Sequence, residues 1–277
     1  MFRAVFLLCL IAHCAPLAAW STLDDWAAVV ATQIQHKRAL PVLSDYGAGL
    51  SLSEAYNVQR RVIATLAPAT DVAGFRASLT RPRGQVEFGV REPVTGAMLR
   101  AGLLRGNAEL RLRDFKHLMI APGLGFVLKA GVTAPLSDLS QLAPLIATAM
   151  PVVEFSDYHF ERPTGFRGED FIAGNAAFAN LIVGKPLPNT SAETINGVIV
   201  ELLIAETVVD RGRAINVMGS QLTALYWLIN KLIAQGWNLP AGTLLVTGAF
   251  SDPVPATKGS YVARFWEAGE VRFSVTP

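Results

Sequence analysis

Two runs between Met119 and Asp157 constrain this chain more than any other part of it. MIAPGLGFVLKAGV and MPVVEFSDYH both read as buried strands, because their apolar residues run almost unbroken. Gly123 and Gly125 stand in the first run where side chains would be expected. Glu154 and Asp157 lie in the second among apolar neighbours. A carboxylate in that setting is costly unless it is paired, hydrogen-bonded or bound to a metal. The two are separated by an odd number of positions, so a regular strand would point them to opposite faces, and a bulge would be needed to bring them together. Arg76, set between apolar neighbours in AGFRASLT, is one core partner available to Glu154.

Helices lead the chain. Trp26, Val29, Val30 and Ile34 recur at helical spacing between Thr22 and about Lys37, with Thr22 and Asp25 at the start. Ser51 and Glu54 form a capping box ahead of the stripe Leu52, Ala55, Tyr56, Val62, Ile63 and Leu66. From Val72 the texture changes to short apolar runs broken by Gly and Pro: AGFRASLT, VEFGV, PVTGAMLR, GFVLKAGV and PVVEFSDYHF. These read as strands. Gly197 to Asp210 reads as a hairpin turning near Ala205-Glu206. Ser220 to Gln235 is a helix, capped by Ser220 and ended by Gly236. Strands follow around Leu244–Thr247, Tyr261–Phe265 and Val271–Val275. Helices first and strands afterwards predict an α+β fold with a curved mixed sheet.

The first residues differ from the rest. A single positive charge at Arg3 precedes the apolar run Ala4 to Ile11 and the small-residue end Pro16-Leu17-Ala18-Ala19. This is the pattern of a secretory signal, too short to span a membrane, with cleavage near Ala18 or Ala19. It predicts an exported, periplasmic protein. Residues 1–19 would be the signal, and residues 20–277 one domain, mainly helical to residue 70 and mainly β thereafter, with one long helix near 220–235. Both cysteines, Cys9 and Cys14, fall inside the signal, so thiol catalysis and cysteine-ligated metals are excluded for the mature form. The 277 residues show no linker and no repeat. A net charge of +2 gives no reason to expect nucleic acid or, after cleavage, a membrane as partner.

Phosphate-cradling loops, dinucleotide glycine fingerprints and paired-histidine metal motifs are missing from the sequence. His36 and His117 read as ordinary surface or core residues, and His159, close to Asp157, as a weak candidate for proton transfer. Ser251 in GAFSDP has no hydrolase elbow around it.

Several segments, in order, are similar to the 2-oxopent-4-enoate hydratase branch of the fumarylacetoacetate hydrolase superfamily, over about Leu50 to Val275. LSLSEAYNVQ resembles the family's first long helix, and GFRASLT its G-x-K-x-G-L-T strand. QVEFGV with PVTGAML resembles L-G-V...P-x-x-G-x-L, FVLKAGV resembles A-F-V-L, and VVEFSDYHF resembles V-E-x-x-D. FIAGNAAFANLIVG and INVMGSQLTALYWLINKL with LPAGTLLVTGA resemble the family's closing segments. The resemblance implies a curved mixed sheet roll with flanking helices. It also implies a magnesium or manganese ion held by three carboxylates, two from an E-x-E before A-F-V-L and one from V-E-x-x-D. Such a hard cation would chelate a 2-oxo acid and stabilise its enolate.

The chain departs from that pattern at the metal. The E-x-E positions fall on Ala121 and Gly123, and Glu154 alone remains as a metal ligand. The family lysine is replaced by Arg76, whose permanent charge makes it no ordinary general base. Thr80, Asp170, Asn175 and Thr247 match retained positions and would contact substrate, while Gly174 replaces an aspartate. No tightly bound cofactor is expected. Two readings follow. One is a lyase acting on a small 2-oxo or 2-hydroxy-dienoic acid, with Arg76 anchoring the carboxylate and Glu154 or Asp157 moving protons. The other is a metal-free binding protein for a small carboxylate ligand on the same fold. A homo-oligomer is left open.

Overall fold

The computed structural model describes residues 22–46 and 49–277, so the signal-sequence reading lies outside the described residues. Two helices come first: α1 (Leu23–Gln35) and α2 (Leu52–Leu66). Each begins at a closed capping box, Thr22 with Asp25 and Ser51 with Glu54. In α2 the Ser51 hydroxyl accepts from the Glu54 backbone N–H at 3.2 Å, and the Glu54 carboxylate accepts from the Ser51 N–H at 2.8 Å. Ser51→Ala should therefore cost about 1 kcal/mol, measured as a shift of the urea midpoint at constant slope. An unchanged midpoint would contradict this.

The middle of the chain runs β1 (Val72–Ser78), α3 (Pro82–Phe88), β2 (Val94–Leu99), β3 (Leu103–Leu104), β4 (Ala108–Arg111), β5 (Leu118–Leu128) and β6 (Ile146–Asp157). Then come α4 (Gly168–Ala173), β7 (Phe178–Val183), α5 (Ala192–Gly197), β8 (Ile199–Ile204) and β9 (Thr207–Arg213). The chain continues with α6 (Gln221–Ala234), β10 (Leu244–Ala249), β11 (Val254–Pro255), β12 (Gly259–Phe265) and β13 (Gly269–Thr276). The larger sheet has the order β2-β1-β10-β5-β6-β7-β3, with β11 also on β5. Its β1–β10 and β3–β7 pairs are parallel, and the other pairs are antiparallel. The smaller sheet runs β4-β13-β12-β8-β9. Together they form the expected curled mixed sheet with helices outside. No helix among the described residues is long and apolar enough to cross a membrane.

The expected hairpin is β8–β9, turning at Ala205 and Glu206 with φ of 45° and 71°. Two local expectations fail. VEFGV is not a strand but the end of α3, because Pro82 starts that helix and Gly89 closes it at φ 68°. Ser220 occupies the start of α6 without capping through its side chain. Asn196 does so instead, its Oδ1 accepting from the Gln221 N–H at 2.8 Å while its Nδ2 donates to the Ser220 hydroxyl.

One apolar core packs the two sheets and α6 together, with Phe155 edge-on to Phe273 and Phe273 stacked on Tyr261 at 4.8 Å. A second core lies under α1, α2 and α4 and is rich in rings: Phe88, Phe160, Phe166 and Phe171. Large side chains buried this way contribute roughly 1.5–3 kcal/mol each. β1, β5 and β6 each bury apolar side chains in the first core, which anchors the strands that carry the site.

Candidate functional site

β1 carries Arg76 between two neighbours, facing Gly96 of β2 and Val246 of β10 in register. β6 carries Glu154, in register with Ala121 of β5. Both charged side chains are buried, at 5% and 1% exposure. Arg76 Nε lies 2.6 Å from Glu154 Oε2. The distance makes an ion pair, yet the N–H is not directed at the oxygen, and neither atom has an aligned hydrogen-bond partner. Attraction between the charges, rather than a well-formed hydrogen bond, holds the two together. Arg76 Nη1 does make aligned contacts, donating to the Ser156 hydroxyl at 3.1 Å and to the Ala176 carbonyl at 3.3 Å. Burial pushes the Glu154 carboxyl above its ordinary range, and the Arg76 charge pulls it back.

The pair opens onto a cavity of about 250 Å³. Ser78, Thr80, Ser156 and Tyr158 give it a polar wall, and Phe88, Phe171 and Met119 an apolar one. Burial raises the Tyr158 phenol, with Arg76 opposing and Glu87 and Glu154 adding, so it stays a neutral donor. At the rim Asp252 pairs with Arg81 and, at 3.5 Å, with Arg83. These pairs are more exposed than Arg76–Glu154 and contribute correspondingly less.

Of the residues expected at the site, Arg76, Glu154 and Thr80 line this cavity and the rest do not. Asp157 faces away. β6 stays in unbroken register with β5 from Ala121–Glu154 to Leu118–Asp157, so no bulge against β5 cancels the odd spacing. Its carboxylate accepts the backbone N–H groups of Lys116 and His117, at 3.0 and 2.7 Å. It lines a separate groove of about 790 Å³ with His159 and Asn175. Asp170 accepts from the Ser44 N–H and hydroxyl, both at 2.8 Å, and ties α4 to the Leu43–Asp45 turn. The Thr247 hydroxyl is spent on Gln221 and the Leu124 carbonyl. Asn175 is bound on both sides to Ala97, accepting its N–H at 2.8 Å and donating to its carbonyl at 2.9 Å.

Asn175 also opens an unusual turn. Asn175, Ala176 and Ala177 all have left-handed φ, at 57°, 51° and 56°. That conformation costs roughly 1–2 kcal/mol for each L-residue with a Cβ. Sequence reading missed this turn and several polar cavity residues, among them Ser78, Ser156, Tyr158 and Arg81. Two of these were accessible to a period-two reading, since Ser156 follows Glu154, and Ser78 follows Arg76, on the same strand face.

The residues present do not fit a divalent cation. Among the described residues no group of three or more His, Cys, Asp or Glu side chains could hold one. Ala121 and Gly123 supply no ligand, and Glu154 faces Arg76. A Cβ on Gly123 would lie 2.5 Å from the Gly248 carbonyl oxygen, so the backbone already fills the space a side chain would need.

No protein-family model matches the chain. It is 28% identical to the 2-keto-4-pentenoate hydratase of Burkholderia vietnamiensis over 208 residues, 74% of this chain and 78% of that protein. Its fold matches 4-oxalocrotonate decarboxylase from Pseudomonas putida G7, complexed with magnesium and adipate. That match has a TM-score of 0.83 and 22% identity, covering 91% of this chain and 97% of the other. Fumarylpyruvate hydrolase from Pseudomonas aeruginosa, in complex with Mn2+ and pyruvate, aligns at a TM-score of 0.56 and 12% identity, covering 73% and 88% of the two chains.

Proposed function

We propose that the chain is a member of the 2-oxopent-4-enoate hydratase branch of the fumarylacetoacetate hydrolase superfamily, supported by its similarity to 2-keto-4-pentenoate hydratases, and that it binds small 2-oxo or 2-hydroxy acids without a divalent cation. The observation that carries this reading is the buried Arg76 guanidinium at the floor of the cavity, in contact with Glu154. A permanent charge with several fixed donors suits a carboxylate. The ligand carboxylate meets Arg76, Ser78 and Tyr158 supply neutral hydrogen bonds, and Phe88 and Phe171 enclose the carbon chain. The related proteins were solved with adipate or pyruvate, which are small carboxylates, and this supports the ligand class.

A second reading, a lyase of a 2-hydroxy-dienoic acid, is supported by Glu154 and Tyr158 both lining the cavity. Glu154 would take a proton from the substrate and Tyr158 would give one. The two readings separate in one experiment. Calorimetric titration with 2-oxopentanoate, in the presence of a chelator, is expected to show saturable binding. A spectroscopic assay for loss of the 2-hydroxypenta-2,4-dienoate chromophore is expected to show no turnover. Turnover that survives the chelator would favour the lyase, and absence of binding at millimolar ligand would overturn the binding reading.

A further inference from the structure

We propose that the left-handed turn Asn175–Ala177 is a positioning device for Arg76, with Asn175 as the residue that holds it. The inference rests on the reading of Arg76 as a carboxylate anchor and gives that anchor its second support. A connection between α4 and β7 does not require three successive left-handed residues, and Gly174 just before them already offers freedom. Strain of this kind persists only where the surroundings over-determine it.

Here they do. The two Asn175–Ala97 hydrogen bonds fasten the turn to β2. Gly96, the residue before Ala97, sits opposite Arg76 in the β1–β2 register. A Cβ on Gly96 would lie 3.1 Å from both the Ala176 Cβ and the Asn175 carbonyl oxygen, so the turn lies flat on the strand beside Arg76. Its product is the Ala176 carbonyl, which accepts from Arg76 Nη1 at 3.3 Å, opposite the Ser156 hydroxyl at 3.1 Å. Two fixed acceptors on one terminal nitrogen lock the plane of the guanidinium. Asn175 is thus a positioning residue, which corrects its expected role as a substrate contact.

Ala176→Gly tests this, because glycine keeps the carbonyl and relieves the strain but removes the Cβ that lies against Gly96 and frees the backbone that aims the carbonyl at Arg76. The melting temperature is expected to stay level or rise. Affinity for 2-oxopentanoate is expected to fall about tenfold, equivalent to about 1.4 kcal/mol. The slow guanidinium rotation of Arg76, read from its Nη resonances by 15N NMR, is expected to quicken. Asn175→Ala should give the same binding and NMR changes at a lower melting temperature. Unchanged Arg76 resonances in Ala176→Gly would overturn the inference, whatever binding does. If the resonances change as expected but the wild-type protein binds no 2-oxopentanoate, the positioning stands and the binding reading falls. Loss of affinity in strict proportion to loss of stability across both variants would mark the turn as merely structural and also overturn it.

Discussion

Arg76→Met should lower the stability of the protein by roughly 3–5 kcal/mol and abolish 2-oxopentanoate binding. The methionine fills similar space, so the loss is electrostatic. Glu154 is 1% exposed, receives no aligned hydrogen bond at Oε2, and has Arg76 as its only charged partner within 4.0 Å among the described residues. Removing that partner leaves a buried anion uncompensated. Adding Glu154→Met in the same chain should recover most of the stability, since apolar replacement of a whole buried pair is often neutral. It should not recover binding. A double variant as unstable as the single one would show that packing, not charge, caused the loss.

The single variant should also change its dependence on pH. In the wild-type protein burial raises the Glu154 carboxyl above its ordinary value of 4.5, and Arg76 opposes the rise. Without Arg76 only the raising influence is left. A carboxyl raised in the folded state holds its proton more tightly there than in the unfolded chain. Its contribution to stability is therefore fullest below the unfolded value and is lost as pH rises through the folded one. The deficit of Arg76→Met should be smallest near pH 4.5 and grow toward pH 8. Denaturation curves across that range measure it, and an equal deficit at both ends would refute the charge argument.

The parts of this molecule that sequence alone made legible are those decided by near neighbours. Both capping boxes close within three residues, and α1 and α2 start where they predict. The β8–β9 turn falls on the Ala205-Glu206 pair between two apolar arms. The segment VEFGV departs from the strand expectation because Pro82, ahead of it, starts a helix and Gly89, within it, ends that helix. In the site, Arg76 and Glu154 stand out because a charge among apolar residues needs an account. Asp170, Asn175 and Thr247 also match retained positions, but their partners lie 126, 78 and 26 residues away. Only the folded chain shows those side chains spent on structure rather than turned to the cavity. The Asn175–Ala177 turn was similarly hidden, since nothing in the letters Asn-Ala-Ala marks a left-handed path.

Magnesium should not bind this protein in calorimetric titration, and restoring the missing carboxylates one at a time should not create a site for it. Magnesium demands near-octahedral oxygen coordination and gives up its water reluctantly. Ala121→Glu would set a second carboxylate beside Glu154, its register partner across β5 and β6. The two would repel each other and compete for Arg76, which stands where a cation would have to be. Gly123→Glu meets a harder obstacle. β10 is bulged between Val246 and Ala249, and there the Gly248 carbonyl oxygen lies 2.5 Å from the position of a Cβ on Gly123. Backbone cannot swing aside as a flexible side chain can. Even Gly123→Ala should therefore cost about 1–3 kcal/mol, the usual range for overpacking a filled core. Gly123→Glu should cost more and gain no magnesium affinity in return. The strands close over the space that a side chain at position 123 would need, so substituting a single residue does not open a site there. Micromolar magnesium binding by the wild-type protein, or by Gly123→Glu at unchanged stability, would show that the backbone yields where this argument holds it fixed.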